Sequence, residues 1–139
     1  MTMPTLETIC QEIQDVVGAV SGVRVAPDVP LETNAIKDVT AFVYPGTGQL
    51  TESTDGIEEG RHTIHLQIIT PRRHLRTDFA RVIGLGDTVP RALLLSRTLS
   101  SSVLQIGEIR YTFGLVEFGG EGQLGWMFEV DVLASGTLS

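Results

Sequence analysis

The sequence predicts an α+β domain with an antiparallel or mixed sheet, a long C-terminal hairpin, and two to three helices packed mainly on one face of the sheet. Three observations favour this class. Helix-like and strand-like segments follow one another without the regular alternation of a doubly wound parallel sheet. Residues 61–69 alternate apolar and polar side chains, and residues 103–133 form two strand-like runs around a glycine cluster. A chain of 139 residues fits a single domain spanning residues 1–139.

The first element is a helix over residues 5–20. Pro4 sits where the first turn of a helix tolerates proline, and Ser21-Gly22 supplies a stop signal. Cys10 falls on the apolar stripe and has no second cysteine to pair with, so we expect a buried structural thiol. Apolar residues recur every three or four positions, as one face of a helix requires: Leu6, Ile9, Cys10, Ile13, Val16, Val17 and Val20.

A strand and a long loop are predicted next. Residues 23–25 could form a short strand, and Val39 to Tyr44 reads as a second one that Pro45-Gly46 would end. Residues 45–59 contain glycine, serine, threonine and acids with little to bury. Loops of this length are usually functional or disordered, so we expect this one to order only against a neighbour. Its acidic residues are Glu52, Asp55, Glu58 and Glu59.

The middle of the chain predicts a strand followed by two short helices. Ile64, Leu66 and Ile68 alternate with polar residues, which is typical of a half-buried strand. Apolar residues then recur at helical spacing over residues 72–83. Gly84-Leu85-Gly86 would break that helix, and Asp87 or Thr88 would cap a second one with Pro90 in its first turn.

The C-terminal hairpin is predicted to be longer than the domain body. A first strand of sixteen residues would span about 50 Å, so we expect a bulge at Gly107 or Gly114. Residues 135–139 should fray. With Phe118 beside Gln123, one face is apolar and the other is polar. This register pairs Tyr111 with Val130, Phe113 with Phe128, Leu115 with Trp126, Arg110 with Asp131, and Thr112 with Glu129.

Charge is unevenly distributed along the chain. The net charge of −7 argues against sequence-independent binding of phosphate backbones. Seven of the ten basic residues fall between Arg61 and Arg97, and all seven are arginines, which are enriched in protein interfaces. Solvated arginines on an exposed helix are the alternative. The residues that we predict at a subunit or partner interface are Arg72, Arg73, Arg76, Arg81, Arg110, Glu117 and Glu121.

No catalytic, metal or cofactor site is predicted. Pro45-Gly46-Thr47-Gly48 copies the opening of a phosphate-binding loop, but Gln49 stands where the lysine is required. His62 and His65 are three apart on a strand, so their side chains should face opposite ways. No Gly-x-Ser-x-Gly elbow is present. Glu117 and Glu121 could approach across the glycine turn, but an exposed tip favours solvated acids. With neither a leader nor a long apolar run, we expect a soluble protein from a reducing compartment that does not enter a membrane.

The order of elements resembles a known protein family. The segments are a helix ending near SGVRV, a strand ending in YPG, the strand HTIHLQIIT, the helical RTDFARVIGLGDTVPRALL, and the closing RYTFGLVEFGGEGQLGWMFEVDV. Together they resemble the small tail-terminator or tail-completion proteins of long-tailed bacteriophages, over about residues 5–134. The resemblance lies in the pattern of elements and their lengths.

The resemblance implies a non-enzymatic virion protein of the tail and neck, assembled in the host cytoplasm. Such a protein forms a homo-oligomeric, sixfold ring that caps the tail tube and docks the head connector. DNA passes through the lumen without specific binding, which suits a lumen or joint lined by the acidic loop. The arginine face would meet a neighbouring subunit or the tube, and the hairpin would extend the sheet across the ring. The alternatives are another connector or stopper ring, or a small-ligand-binding or hydrolytic domain with a cleft beside residues 45–59.

Overall fold

A computed structural model describes residues 5–20, 23, 40–54, 57–70, 75–96, 99, 105–118 and 121–137. The fold is α+β, as the sequence predicted, with one four-stranded sheet in the order β1-β2-β4-β3 and every neighbouring pair antiparallel. Two helices pack on one face of the sheet. The elements are α1 (Leu6–Gly18), β1 (Thr40–Thr54), β2 (Ile57–Thr70), α2 (Leu75–Leu95), β3 (Gln105–Phe118) and β4 (Glu121–Thr137).

Helix α1 confirms the predicted apolar stripe. Ile9, Ile13 and Val17 are fully buried against the sheet. The Thr5 hydroxyl accepts a hydrogen bond from the Thr8 N–H at 3.1 Å, which caps the first turn. The buried Gln14 amide donates to the carbonyl oxygen of Ala41 at 2.8 Å and so ties the helix to β1. Residues 21–22 and 24–25 lie outside the described part of the chain.

The prediction of a long loop over residues 45–59 is wrong. Strand β1 continues to Thr54 and β2 begins at Ile57. A register shift between Pro45 and Gly48 marks a bulge, which absorbs the residues that read as a turn. A side chain at position 46 would overlap the His65 ring, so glycine is required here by a close approach and not by a turn. Residues 55–56 lie outside the described part of the chain.

The prediction of two short helices over residues 72–95 is also wrong, because α2 is one helix of 21 residues. Glycine at position 86 leaves room for a ring from the sheet, since any Cβ there would overlap the Trp126 indole. The Thr88 hydroxyl donates to the carbonyl oxygen of Gly84 inside the helix at 3.3 Å, so Thr88 does not cap a new helix. Tertiary packing therefore overrides the local breaking signals of the glycines and Pro90.

The C-terminal hairpin forms with a register two residues away from the predicted one. Phe118 pairs with Glu121 instead of Gln123, so two residues separate the strands. A shift of two preserves the face of every side chain, which is why the predicted apolar and polar faces are correct although the predicted partners are wrong. The observed partners are Tyr111 with Phe128, Phe113 with Trp126, Leu115 with Leu124, Arg110 with Glu129, and Thr112 with Met127.

The predicted bulge in β3 is confirmed, whereas the predicted frayed tail is mostly strand. The register of β3 shifts between Ile106 and Ile109, so the bulge lies at Gly107. The tail prediction is wrong for residues 135–137, because Ser135 pairs with Glu59 and Thr137 with Ile57 in the β2–β4 ladder. Alternating small and polar residues can extend a strand when a partner strand of equal length lies alongside.

The core lies between the helices and one face of the sheet. Val82, Leu85, Val89 and Leu93 of α2 are buried there beside the α1 stripe. The strands contribute Ala41, Val43, Ile64, Leu66, Ile68, Ile106, Trp126, Phe128, Val130, Val132 and Ala134. The opposite face of the sheet is more polar, and it carries a smaller apolar cluster of Phe42, Ile69, Tyr44 and Met127.

Candidate interaction surfaces

Trp126 joins helix α2 to the β3 edge of the sheet. Its indole N–H donates to the carbonyl oxygen of Val82 at 2.6 Å, a bond that is buried. Trp126 packs against Phe113 and Phe128, with ring centroids 4.7 Å and 5.7 Å away. Tyr111 meets the indole edge to face at 5.6 Å. Trp126 therefore adds a buried hydrogen bond and aromatic packing to the contacts that position α2 beside the edge strand.

A groove runs between α2 and β3, and Trp126 lies at its base. Its volume is about 480 Å³. Apolar groups come from Ile83, Pro90 and Leu94 on the helix and from Ile109 and Tyr111 on the strand. Tyr111 remains 65% exposed although it lies on the helix-bearing face, because α2 leaves the outer strand uncovered. We call Ile83, Leu94 and Tyr111 the groove patch.

The rim of this groove carries one described ion pair. The Arg91 guanidinium donates to the Asp87 carboxylate at 3.1 Å, one helical turn away. Both side chains are more than two-thirds exposed, so solvent screening leaves the pair with little effect on stability. The pair presents both signs of charge around an apolar floor. Such a groove suits an apolar segment with a polar border.

A second surface lies at the opposite edge of the sheet, beside the β1 bulge. A depression of about 360 Å³ is lined there by Leu6, residues 45–50 and residues 62–64. Leu6 and Leu50 are exposed by 42% and 59%. Leu50 pairs with Gly60, and position 60 shares its face of β2 with Ile64 of the core, so Leu50 lies on the helix-bearing face. We call Leu6 and Leu50 the β1 patch.

The open face of the sheet carries a charged network centred on Arg110. Its guanidinium donates to Asp131 at 2.8 Å and 3.0 Å, to Glu108 at 3.2 Å and to Glu129 at 3.3 Å. Thr63 also donates to Asp131, at 3.0 Å. The hydrogen bond from Arg110 lowers the pKa of Asp131 below its ordinary value, and these carboxylates raise the pKa of Arg110. Arg110, predicted at an interface, therefore has three partners within its own chain.

Of the other predicted interface arginines, two lie outside the described residues and two lie in helix α2. Arg72 and Arg73 are outside the described residues, whereas Arg76 and Arg81 belong to α2. Positions 76 and 81 are five apart, about 140° around a helix, so their backbone positions do not share one face. Arg76 and Arg81 therefore do not form a single arginine face on α2.

The β1–β2 hairpin places two of the four predicted acidic positions opposite each other. Glu52 pairs in register with Glu58, while Asp55 lies outside the described residues. Glu59 is half-buried and lies 3.8 Å from the guanidinium of Arg61. At the other hairpin, Glu117 pairs with Gly122 and Glu121 with Phe118, so the two acidic positions fall on opposite faces of the ladder.

Among the described residues, His62, His65 and Cys10 pack within the fold. His62 pairs with Gly48 and His65 with Tyr44, so they lie on opposite faces of β2 as strand alternation predicts. The His65 ring stacks on Tyr44 with centroids 5.2 Å apart. Burial raises the pKa of the Cys10 thiol, which disfavours a reactive thiolate. Within the described residues, no group of three or more His, Cys, Asp or Glu side chains could hold a metal ion.

The groove was not found from the sequence, although two signals pointed to it. Gly86 interrupts an otherwise helical pattern, and such a glycine often marks close packing. Trp126 is the one tryptophan of the chain. Neither signal shows that Gly86 and Trp126 are in contact, because residues 40 positions apart meet only once the sheet has formed.

No protein-family model matches the chain, and no curated protein matches its sequence significantly. Neither described helix is both long and apolar enough to cross a membrane.

Proposed function

We propose that this protein is a non-enzymatic virion structural protein that forms a ring, caps the tail tube and joins it to the head connector. The observation that supports assembly best is the pair of sheet edges. Among the described residues, β1 is paired only with β2 and β3 only with β4. A strand bonded on one side presents backbone donors and acceptors to a further strand.

The directions of the two edge strands suit head-to-tail addition. Three antiparallel steps separate β1 from β3, so the two edges run in opposite directions. If a second copy lies beside the first in the same orientation, its β1 is antiparallel to the first copy's β3. Repeated contacts of this heterologous kind close into a ring when the rotation between copies allows it.

The charge of the chain is compatible with a DNA passage. The net charge is −7, and the β1–β2 hairpin carries Glu52, Asp55, Glu58 and Glu59 near its tip. Acidic groups lining a lumen repel the phosphate backbone and let DNA pass without binding. In this proposal the acidic tip faces the lumen or the joint. Positions 76 and 81 lie about 140° apart around α2, so Arg76 and Arg81 would make separate contacts with a neighbouring subunit or the tube.

The test of this proposal is the oligomeric state and the partner. Size-exclusion chromatography with light scattering should show a ring-sized oligomer, alone or after mixing with a tail tube protein from the same source. Specific binding to tube ends would support the terminator role. Binding to the connector but not to the tube would favour the alternative of a connector or stopper ring. A monomer that stays monomeric with both partners at low and high salt would overturn the proposal.

A small-ligand-binding domain is the second candidate, because the depression at the β1 edge lies where the sequence placed a cleft. Its lining surface is mainly apolar, and its polar residues are Thr47, Gln49, His62 and Thr63. Ligand binding there would stabilise the folded state by mass action. A thermal-shift screen of metabolites would reveal it, and Leu50→Glu should abolish any shift that arises from this depression.

A further inference from the structure

The exposed large hydrophobic side chains are concentrated at the two edges of the sheet. Leu6 and Leu50 form the β1 patch, and Ile83, Leu94 and Tyr111 form the groove patch. Leu95, at the end of α2, completes the set among the described residues. Clusters of exposed apolar side chains usually mark binding surfaces, whereas isolated ones need no explanation.

Both patches lie on the same face of the sheet. Leu50 is on the helix-bearing face through its pairing with Gly60, and Tyr111 is on that face through its pairing with the buried Phe128. The patches are therefore separated by the width of the sheet and not by its thickness. Leu50 is level with Ala134 through Gly60, whereas Tyr111 is level with Phe128, six residues away on β4. When the sheets of two copies continue edge to edge, the two patches therefore meet across the junction if the second copy is displaced along the strands by these six residues, roughly 20 Å.

We propose that the groove patch of one copy receives the β1 patch of the next copy of this chain. This inference rests on the proposed ring and identifies the surfaces that form it. Strand direction and the shared face point to the same occupant, because the neighbour's β1 can add antiparallel to β3 and brings Leu50 on the face that carries Tyr111. The contact is heterologous, so each copy uses both patches and no copy uses the same patch twice.

A complementation experiment tests this contact. Leu50→Glu disables the β1 patch and Ile83→Glu disables the groove patch, each at a side chain that is already more than 40% exposed. Each variant alone should be a monomer. An equimolar mixture should form a 1:1 heterodimer, because one intact patch of each kind remains. Light scattering and sedimentation velocity over a range of concentrations would measure these masses.

Controls keep the outcomes distinct. Thr112→Glu adds the same charge on the exposed open face and should assemble as the wild type does. Circular dichroism checks the fold, and Tyr111→Glu replaces Ile83→Glu if that variant is unfolded. Variants that assemble normally, a homodimer of either variant, or a mixture that stays monomeric while the wild type assembles would overturn this contact but not the ring. A wild type that never assembles would overturn both.

Discussion

At the scale of residues, Trp126 packs so closely against Gly86 that the two positions constrain each other. A Cβ at position 86 would overlap the indole, whereas a Cβ at position 84 would meet no atom within 4 Å. The two glycines lie in the same helix, but only position 86 is closely packed. Substituting each in turn therefore separates the effect of helix propensity from the effect of close packing.

Gly86→Ala should destabilise the protein by about 1–3 kcal/mol, because the indole or the helix must move. Gly84→Ala is the matched control and should stabilise the protein by about 0.5–1 kcal/mol through helix propensity alone. Urea unfolding followed by Trp126 fluorescence measures both. Equal effects of the two substitutions would show that the indole does not occupy the space beside Gly86.

The ion pair of Arg110 and Asp131 makes the free energy of unfolding depend on pH in the acidic range. The pKa of Asp131 is lower in the folded state than in the unfolded chain, mainly through the hydrogen bonds from Arg110. The stabilisation is therefore present above the ordinary carboxyl pKa and is lost as the pH falls through the lower folded value. Because both groups are exposed, solvent screening keeps this contribution small.

In Arg110→Met, the pKa of Asp131 should rise toward its ordinary value, and part of the loss of stability below about pH 4 should disappear. Carboxyl-carbon NMR titration of Asp131 measures the first effect, and urea unfolding at several pH values measures the second. Arg91→Met is the control, since its partner Asp87 lies on a different element. An unchanged Asp131 titration in Arg110→Met would contradict the network.

Cys10 should react slowly while the protein is folded. Its thiol is half-buried against the core and its pKa is raised by burial, so little thiolate is available near pH 8. A colourimetric thiol reagent should label it slowly in buffer and rapidly in urea. Fast labelling of the folded protein would indicate an exposed thiol and contradict its place on the apolar stripe of α1.

At the scale of elements, the bulge in β1 shows why a turn-like sequence can lie within a strand. Pro45 and the glycines that follow have weak strand propensity, but β2 pairs with Pro45 and with Gly48 on the two sides of the bulge. The glycines admit the imidazoles of β2: a Cβ at position 46 would overlap His65, and one at position 48 would lie 2.7 Å from Nδ1 of His62. The bulge is therefore a packing feature shared by two strands.

Gly46→Ala should destabilise the β1–β2 hairpin by about 1–3 kcal/mol through overpacking. Gly107→Ala, in the β3 bulge, is the control, because its nearest neighbour would lie at an ordinary contact distance of 3.7 Å. Adding His65→Ala to Gly46→Ala should recover part of the loss, since the carbonyl of Thr63 also lies close to position 46. A double-mutant cycle by urea unfolding measures this coupling, and strict additivity would contradict the contact.

At the scale of the whole molecule, the sheet order sets a hierarchy of protection. Strands β2 and β4 have ladder partners on both sides, whereas β1 and β3 have one each among the described residues. Amides of β2 and β4 should therefore exchange with deuterium more slowly than those of β1 and β3. Assembly should slow exchange selectively in the two edge strands. Mass spectrometry of the wild type and of Leu50→Glu compares the two states, and equal protection of all four strands would contradict this order.

The fold class and the faces of the periodic segments were predictable because they depend on local periodicity. The stripe of α1, the alternation of β2 and the two faces of the hairpin need only the spacing of apolar residues. The loop over residues 45–59 and the break at Gly84-Leu85-Gly86 were predicted wrongly for a shared reason. A glycine in the sequence looks the same whether it forms a turn or leaves room for a neighbouring side chain. Only the packed structure shows which of the two roles it has.

The sequence alone determined which residues face the core, that the C-terminal strands pair, and that the surface is acidic. The tertiary structure decided the sheet order, the hairpin register, and the position of Trp126 beside Gly86. It also decided that apolar patches remain at both edges. Periodicity specifies the face of a side chain within its own element, but register and groove depend on contacts between residues distant in sequence. Such contacts form only when whole elements pack.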